Sequence, residues 1–170
     1  MLTNLKKANM SDTSGKPGRT SVSSSLAFPE QDLLCFAVYS TGHAFNRVYK
    51  PLLDELGLTY PQYLVMVSLW AKDDQTVGEL GETLFLESNT LTPLLKRLEA
   101  IGLLDRSRDP SDERQVRVRL TSAGLALQKK ARDIPRCILE ATGLSLPDLR
   151  RLLHEIVAVR GKLLRFADDK

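Results

Sequence analysis

Apolar positions change their spacing several times along this chain, and each change marks an element. From Asp32 onward, Leu34, Phe36, Val38 and Phe45 stand among small and polar residues with no proline or glycine pair before Pro51, which predicts a helix over about 32–48. A short helix then runs to Gly57, a residue suited to the left-handed position that closes a helix. Thr59-Tyr60-Pro61-Gln62 has the spacing of a capping box, and its proline falls in the first turn, where a missing N–H does no harm. The run QYLVMVSLW behind it is apolar nearly all round, which predicts a buried central helix.

Thr76-Val77-Gly78-Glu79 repeats the capping pattern and opens a short helix to about Leu84. In the stretch that follows, Leu91, Leu94, Leu95 and Leu98 share one helix face, leaving Ser88, Asn89, Thr92, Lys96 and Arg97 outward. Pro93 is compatible with this helix only if its first turn starts at about Ser88 or later. After Gly102 the period falls to two. Val116, Val118 and Leu120 alternate with Arg117 and Arg119, so LLDRSR, DPSDER and QVRVRLT read as strand, turn and strand. Helix resumes after Thr121 to about 141, with a kink expected at Pro135. A last amphipathic helix spans about 147–166, with Leu149, Leu152, Leu153, Ile156, Val159 and Leu163 on one side.

The fold class is therefore mainly α with a small β-hairpin wing. A winged helix–turn–helix core over about 59–121 lies between helical arms over about 32–57 and 122–166, within a single domain over 29–170. Residues 1–28, rich in Ser, Lys and Gly and without periodicity, read as a disordered tail. The arms carry apolar faces with little sequence left to cover them, which predicts a symmetric homodimer.

The order of elements also points to a partner. In a helix–turn–helix pair the second helix enters the major groove of double-stranded DNA. Here that helix is 88–101, where Ser88, Asn89, Thr90 and Thr92 offer donors and acceptors to bases and phosphates, and Lys96 lies one turn further toward the backbone. Arg106, Arg108, Arg114, Arg117 and Arg119 form a guanidinium strip along the hairpin, and Arg114, beside the turn, is the one placed to enter a narrow minor groove. Asp105, Asp109, Asp112 and Glu113 offset most of that charge, and the chain carries only +3 overall. On charge alone the arginines read equally well as a solvated strand face.

Composition narrows the remaining classes. Hydrophobic residues make up 42% and charged residues 26%, and no run approaches the roughly 20 apolar residues that span a bilayer, so no membrane role is expected. The start of the chain lacks the apolar stretch of a secretory signal, which predicts a cytoplasmic, reducing location. His43 and His154 stand singly without ligand spacing, Asp73-Asp74 falls in a turn and looks solvated, and no Gly-rich phosphate loop occurs. No metal, no cofactor and no enzymatic activity are expected.

Two cysteines and four tyrosines occur in the whole chain. Cys35 and Cys137 form neither a CxxC pair nor a zinc spacing. Free cysteine often only fills space, so Cys35 reads either as packing or as a reactive group. Three tyrosines follow it: Tyr39, one helical turn on, then Tyr49 and Tyr60. Phenolic hydroxyls donate hydrogen bonds to a thiolate and favour the ionised form, and a thiolate attacks the O–O bond of a peroxide to become a sulfenic acid. In one continuous helix Tyr49 would lie about 21 Å along the axis from Cys35. It reaches that sulfur only from a second copy paired antiparallel, where Tyr60 could join it.

The stretch GELGETLFLESNTLTPLLKRLEAIGLLDRSRDPSDERQVRVRLTSAG, with the D-x-R of Asp112 to Arg114 and the LT-x-x-G of Leu120 to Gly124, resembles the winged-helix region of the MarR family of dimeric bacterial transcription factors. The resemblance extends over about residues 30–166 and implies repression from a palindromic operator, with Asp112 orienting the wing-tip Arg114. The cysteine and its tyrosines are similar to those of the organic hydroperoxide resistance regulators within that family. This implies that Cys35 is a peroxidatic sensor of organic hydroperoxides, Tyr49 and Tyr60 its hydrogen-bonding partners, and Tyr39 a wall of the pocket. One branch carries a second cysteine in the helix after the wing that forms an intersubunit disulfide, and Cys137 falls in that region. Phe36, Val38 and Met66 read as lining of the pocket or as core. Two alternatives stand beside this one: a regulator of the same family answering a reversible phenolic ligand with both cysteines structural, and a thiol peroxidase, for which the chain shows no peroxidase motif.

Overall fold

Threonine capping boxes mark where two of the helices begin. The computed structural model describes residues 33–169, and the tail expected over 1–28 lies outside them. The described residues divide after Ala37 into a short unit and a large one that starts at Val38. Helix α1 is Leu34–Asp54. Helix α2 is Tyr60–Ala71, and at its start the Thr59 N–H donates to Gln62 Oε1 at 2.9 Å. After strand β1 (Gln75–Thr76), α3 (Val77–Leu84) opens on a complete capping box: Glu79 N–H donates to Thr76 Oγ1 at 3.1 Å, and Thr76 N–H to Glu79 Oε2 at 2.7 Å. Those bonds and the ion pair with Lys72 hold the Glu79 carboxyl at about 2, with the Lys72 hydrogen bond contributing most.

Helix α4 is Ser88–Ala100, so its first turn starts where Pro93 requires. The hairpin β2 (Leu104–Arg108) and β3 (Val116–Leu120) pairs Leu104 with Leu120 and Arg108 with Val116. β1 joins on the other side of β3, giving the antiparallel order β1-β3-β2. Three helices complete the chain: α5 (Ser122–Ala131), α6 (Ile134–Thr142) and α7 (Leu146–Asp168).

The core sits under α4. Leu91, Leu95 and Leu98 from that helix meet Val65, Met66 and Leu69 of α2, Leu80 of α3, Leu104 of β2 and Val118 of β3, all fully buried. Burying one leucine side chain is worth about 2 kcal/mol, so the three leucines seat α4 firmly while its opposite face stays open. The C-terminal arm differs: α7 buries none of its residues, and Leu152, Leu153, Ile156 and Leu163 are exposed. It meets the end of α3 at Arg160, whose guanidinium lies 4.3 Å over the exposed ring of Phe85, the left-handed residue that closes α3.

Three elements depart from the sequence expectation. α1 runs through Pro51 to Asp54 rather than breaking there. The proline removes one N–H in the last turn only, and the burial of Leu53 there offsets that loss. The expected kink at Pro135 is a break: α5 ends at Ala131 and α6 starts at Ile134, which puts the proline in a first turn, where its nitrogen has no helical bond to lose. β1, two residues long, is too short to leave a period.

Candidate nucleic-acid interface and thiol region

Ser88, Asn89 and Thr90 stand exposed on the first turn of α4, with Lys96 exposed two turns along. Thr92 turns back on the helix, its Oγ1 donating to the Ser88 carbonyl at 2.7 Å. Between this helix and the wing lies a groove of about 370 Å³ lined by Ser88, Thr92, Arg106, Arg114 and Gln115.

The wing turn is organised by two aspartates. Asp109 is buried and accepts from the Ser111 hydroxyl at 2.6 Å, the Ser111 N–H at 2.8 Å and Arg117 Nη1 at 3.0 Å. Those bonds, the Ser111 hydroxyl's foremost, hold its carboxyl well below the usual carboxylate range. Asp112 accepts from the Arg114 N–H and from Gln115 Nε2, each at 3.1 Å. It therefore orients Arg114 through the main chain, leaving that residue exposed at the tip.

The arginine strip divides. Arg114 and Arg108 are exposed, whereas Arg106 and Arg117 turn onto carboxylates. Arg106 Nε donates to Glu99 Oε2 at 2.9 Å, and this bond holds Glu99 below its ordinary value. Arg117 Nε donates to Asp74 Oδ1 at 2.6 Å, and Arg119 Nε also pairs with Asp74 at 3.0 Å. The expectation that Asp73 and Asp74 are simply solvated is thus corrected. Asp73 Oδ1 accepts the Leu120 N–H at 2.9 Å and the Asp74 N–H at 2.7 Å, and Asp74 takes the left-handed conformation with φ 56°.

The thiols and phenols lie elsewhere. Cys35, in the first turn of α1, is exposed. Cys137 is half-buried on α6, where its N–H donates to the Asp133 carbonyl at 3.1 Å. The rings of Tyr49 and Tyr60 stand 4.6 Å apart, those of Tyr49 and Tyr63 5.8 Å, and Tyr63 continues to Trp70 at 6.2 Å. Tyr63 is the member that sequence reasoning missed. Its spacing of three from Tyr60 puts both on one face of α2, which was the available signal. Tyr39 packs edge-on against His43 at 4.5 Å, and Met66 is a fully buried core residue rather than pocket lining. Phe36 is exposed.

Burial pushes the Tyr49 phenol up to about 12, with further contributions from Tyr60 and Tyr63, whose own phenols burial also raises. All three stay neutral hydrogen-bond donors at physiological pH. The stability they contribute is complete below pH 10, where unfolded phenols are also neutral, and is lost as pH rises toward 12. Denaturant midpoints are expected to fall across that window, and Tyr49→Phe to fall less.

Among the described residues no group of three or more His, Cys, Asp or Glu stands close enough to hold a metal ion, and no helix is long and apolar enough to cross a membrane. A helix pair presenting a polar first turn, beside a hairpin with an arginine at its tip, is the architecture of a DNA reader. Residues 47–131 match the family described as Transcriptional regulator SarA/Rot. The chain is 47% identical over 122 residues to the organic hydroperoxide resistance transcriptional regulator of Bacillus subtilis (strain 168), covering 72% of this chain and 83% of that one. It belongs to the MarR family, as a winged-helix regulator of the SarA/Rot type.

This regulator is also 49% identical over 130 residues to the HTH-type transcriptional regulator TtmR of Methylorubrum extorquens (strain PA1), covering 76% of its own length and 67% of that relative. AbfR of Staphylococcus epidermidis superposes on it with a TM-score of 0.68 at 36% identity, covering 78% of this chain and 91% of that one. AbfR has been solved reduced and bound to DNA, and in a disulfide-formed state. The chain is accordingly a DNA-binding transcriptional regulator.

Proposed function

We propose that this regulator is a homodimeric repressor that holds a palindromic operator while reduced and releases it when an organic hydroperoxide oxidises Cys35. The DNA-reading set comprises Ser88, Asn89, Thr90, Thr92 and Lys96 in the major groove and Arg114 in the minor groove. In the dimer the first helices pair antiparallel, so that Tyr49 and Tyr60 of the partner subunit donate hydrogen bonds to the Cys35 sulfur.

The chemistry runs in two steps. The Cys35 thiolate attacks the O–O bond, an S–O bond forms, and the alkoxide leaves as an alcohol after taking a proton. The thiol of Cys137 from the partner subunit then attacks the sulfenic sulfur, water departs, and an intersubunit disulfide remains. The disulfide draws the arms together and changes the separation of the two α4 helices, so half-sites a helical turn apart no longer fit.

The observation that carries this reading is the phenol cluster. Burial pushes the Tyr49 phenol up to about 12, so at physiological pH it is a donor rather than a competing anion. The likeness to the organic hydroperoxide regulator and the uncovered apolar face of α7 support the same picture. The test is mass spectrometry of unreduced protein after exposure to cumene hydroperoxide. A species of twice the chain mass, joined through Cys35 and Cys137 and separated by dithiothreitol, is expected. Unmodified Cys35 at peroxide doses that release DNA would overturn the reading.

One observation favours a second reading. A cleft of about 530 Å³ between α2 and α5, lined by Tyr63, Val67, Trp70, Lys129 and Arg132, offers an aromatic floor with two cations at its rim. A reversible aromatic acid would fit that chemistry, and release would then need no cysteine.

A further inference from the structure

We propose that Arg117 and the Asp73-Asp74 turn form a brace that sets the pitch of the wing, making Arg117 a positioning residue for Arg114 on the operator. The inference rests on Arg114 being the wing-tip contact.

One guanidinium joins three segments. Arg117 Nε donates to Asp74 Oδ1 at 2.6 Å, its Nη2 donates to the Asp74 carbonyl, and its Nη1 donates to Asp109 Oδ2 at 3.0 Å. Asp74 belongs to the turn between α2 and β1, Arg117 to β3, and Asp109 to the wing turn. Asp109 in turn fixes Ser111, immediately before the Asp112 that holds the Arg114 main chain. The same α2–β1 turn reaches β3 a second time through Asp73 and the Leu120 N–H at 2.9 Å. At its base the hairpin is held to the helices by the burial of Leu104 and Val118 and by Arg106 on Glu99 of α4, while β1 adds only the pairs Gln75–Val118 and Thr76–Arg117; the Arg117 fork is the link that reaches the wing turn itself.

A planar fork can span two carboxylates and a carbonyl in this way, and a lysine cannot. The geometry also separates a brace from a simple charge effect. Asp74 is an anion in a protein that binds a polyanion, so on electrostatics alone its neutralisation strengthens DNA binding. A brace predicts the reverse.

The test measures operator and non-specific DNA binding of the full-length protein by fluorescence anisotropy, with circular dichroism confirming that each variant is folded. Asp74→Asn is expected to weaken operator binding by about fivefold and to leave non-specific binding unchanged. In an Arg114→Ala background the same substitution is expected to change operator affinity by less than about twofold, because the residue being positioned is gone. Arg117→Lys, which keeps the charge and loses the fork, is expected to behave as Asp74→Asn does. Tighter or unchanged operator binding by Asp74→Asn, full affinity in Arg117→Lys, or losses additive with Arg114→Ala would each overturn the brace while leaving Arg114 as a DNA contact. An Arg114→Ala variant that binds as the wild type does would overturn both.

Discussion

Cys35→Ser is expected to bind operator as the unsubstituted protein does and to keep it bound through a hydroperoxide dose that empties the reduced wild type. Cys35 lies in the first turn of α1, and serine keeps nearly the same size and a hydrogen-bonding oxygen for the partner's phenols, so the fold and the subunit pairing are expected to be retained. It is also absent from the α4 face and the wing, so the DNA-reading surface is untouched. The chemistry changes completely. A serine hydroxyl is not ionised at physiological pH and does not attack an O–O bond, so both the sulfenic acid and the disulfide are lost. Gel-shift titrations with cumene hydroperoxide give the readout. Release from Cys35→Ser at the wild-type dose would transfer the sensing role to the cleft beside Trp70. Cys137→Ser separates the two steps further: it should still oxidise at Cys35 yet form no linked dimer.

The largest structural effect is expected at Gly124. A Cβ there would stand 2.0 Å from the Leu103 carbonyl oxygen and 3.0 Å from its carbon, both of them backbone. Relief is blocked on two sides. The Gly124 carbonyl accepts from Trp70 Nε1 at 2.9 Å, and the Leu103 carbonyl already accepts the Thr121 N–H at 3.1 Å. Thr121 locks the same corner, its hydroxyl donating to the Gly102 carbonyl at 2.7 Å and accepting the Gly124 N–H at 3.0 Å. Gly124→Ala should therefore cost about 3 kcal/mol in urea denaturation, at the upper end for an overpacked site. Gly78→Ala is the control. Its nearest neighbour would be a side-chain oxygen at 3.8 Å, and a helical position of that kind gains from the reduced freedom of the unfolded chain. Stability equal in the two variants would remove the close approach as the reason for the LT-x-x-G spacing.

Where a local rule decided the outcome, the sequence was a good guide. The Thr76–Glu79 cap, the buried α2, the leucine face of α4 and the period-two wing all depend on neighbours a few residues away, and all formed where expected. Long-range contacts were the illegible part. DPSDERQVRVR contains one partner of Arg117, Asp109, but not the one that ties it to the helices, because Asp74 lies 43 residues earlier. Asp74 in turn looked like an ordinary loop acid until β1 paired with β3 and brought the two together. Pro51 misled for a related reason, since the buried Leu53 that carries α1 past it is a tertiary contact. The tyrosines were partly legible. The sequence singles out Tyr49 and Tyr60 as joint candidates for the partner's Cys35, whereas their ring contact within one chain, with Tyr63 beside it, depends on where α1 meets α2.

α7 extends for 23 residues without burying one of them against its own chain. In the proposed dimer such a helix draws its order from the partner's surface, so the ordering of the arms and the pairing of subunits are one equilibrium, governed by mass action. Two adjacent half-sites raise the effective concentration of each copy for the other. The operator then acts as a scaffold for the protein that occupies it, and the arms are best ordered where the regulator is seated on DNA.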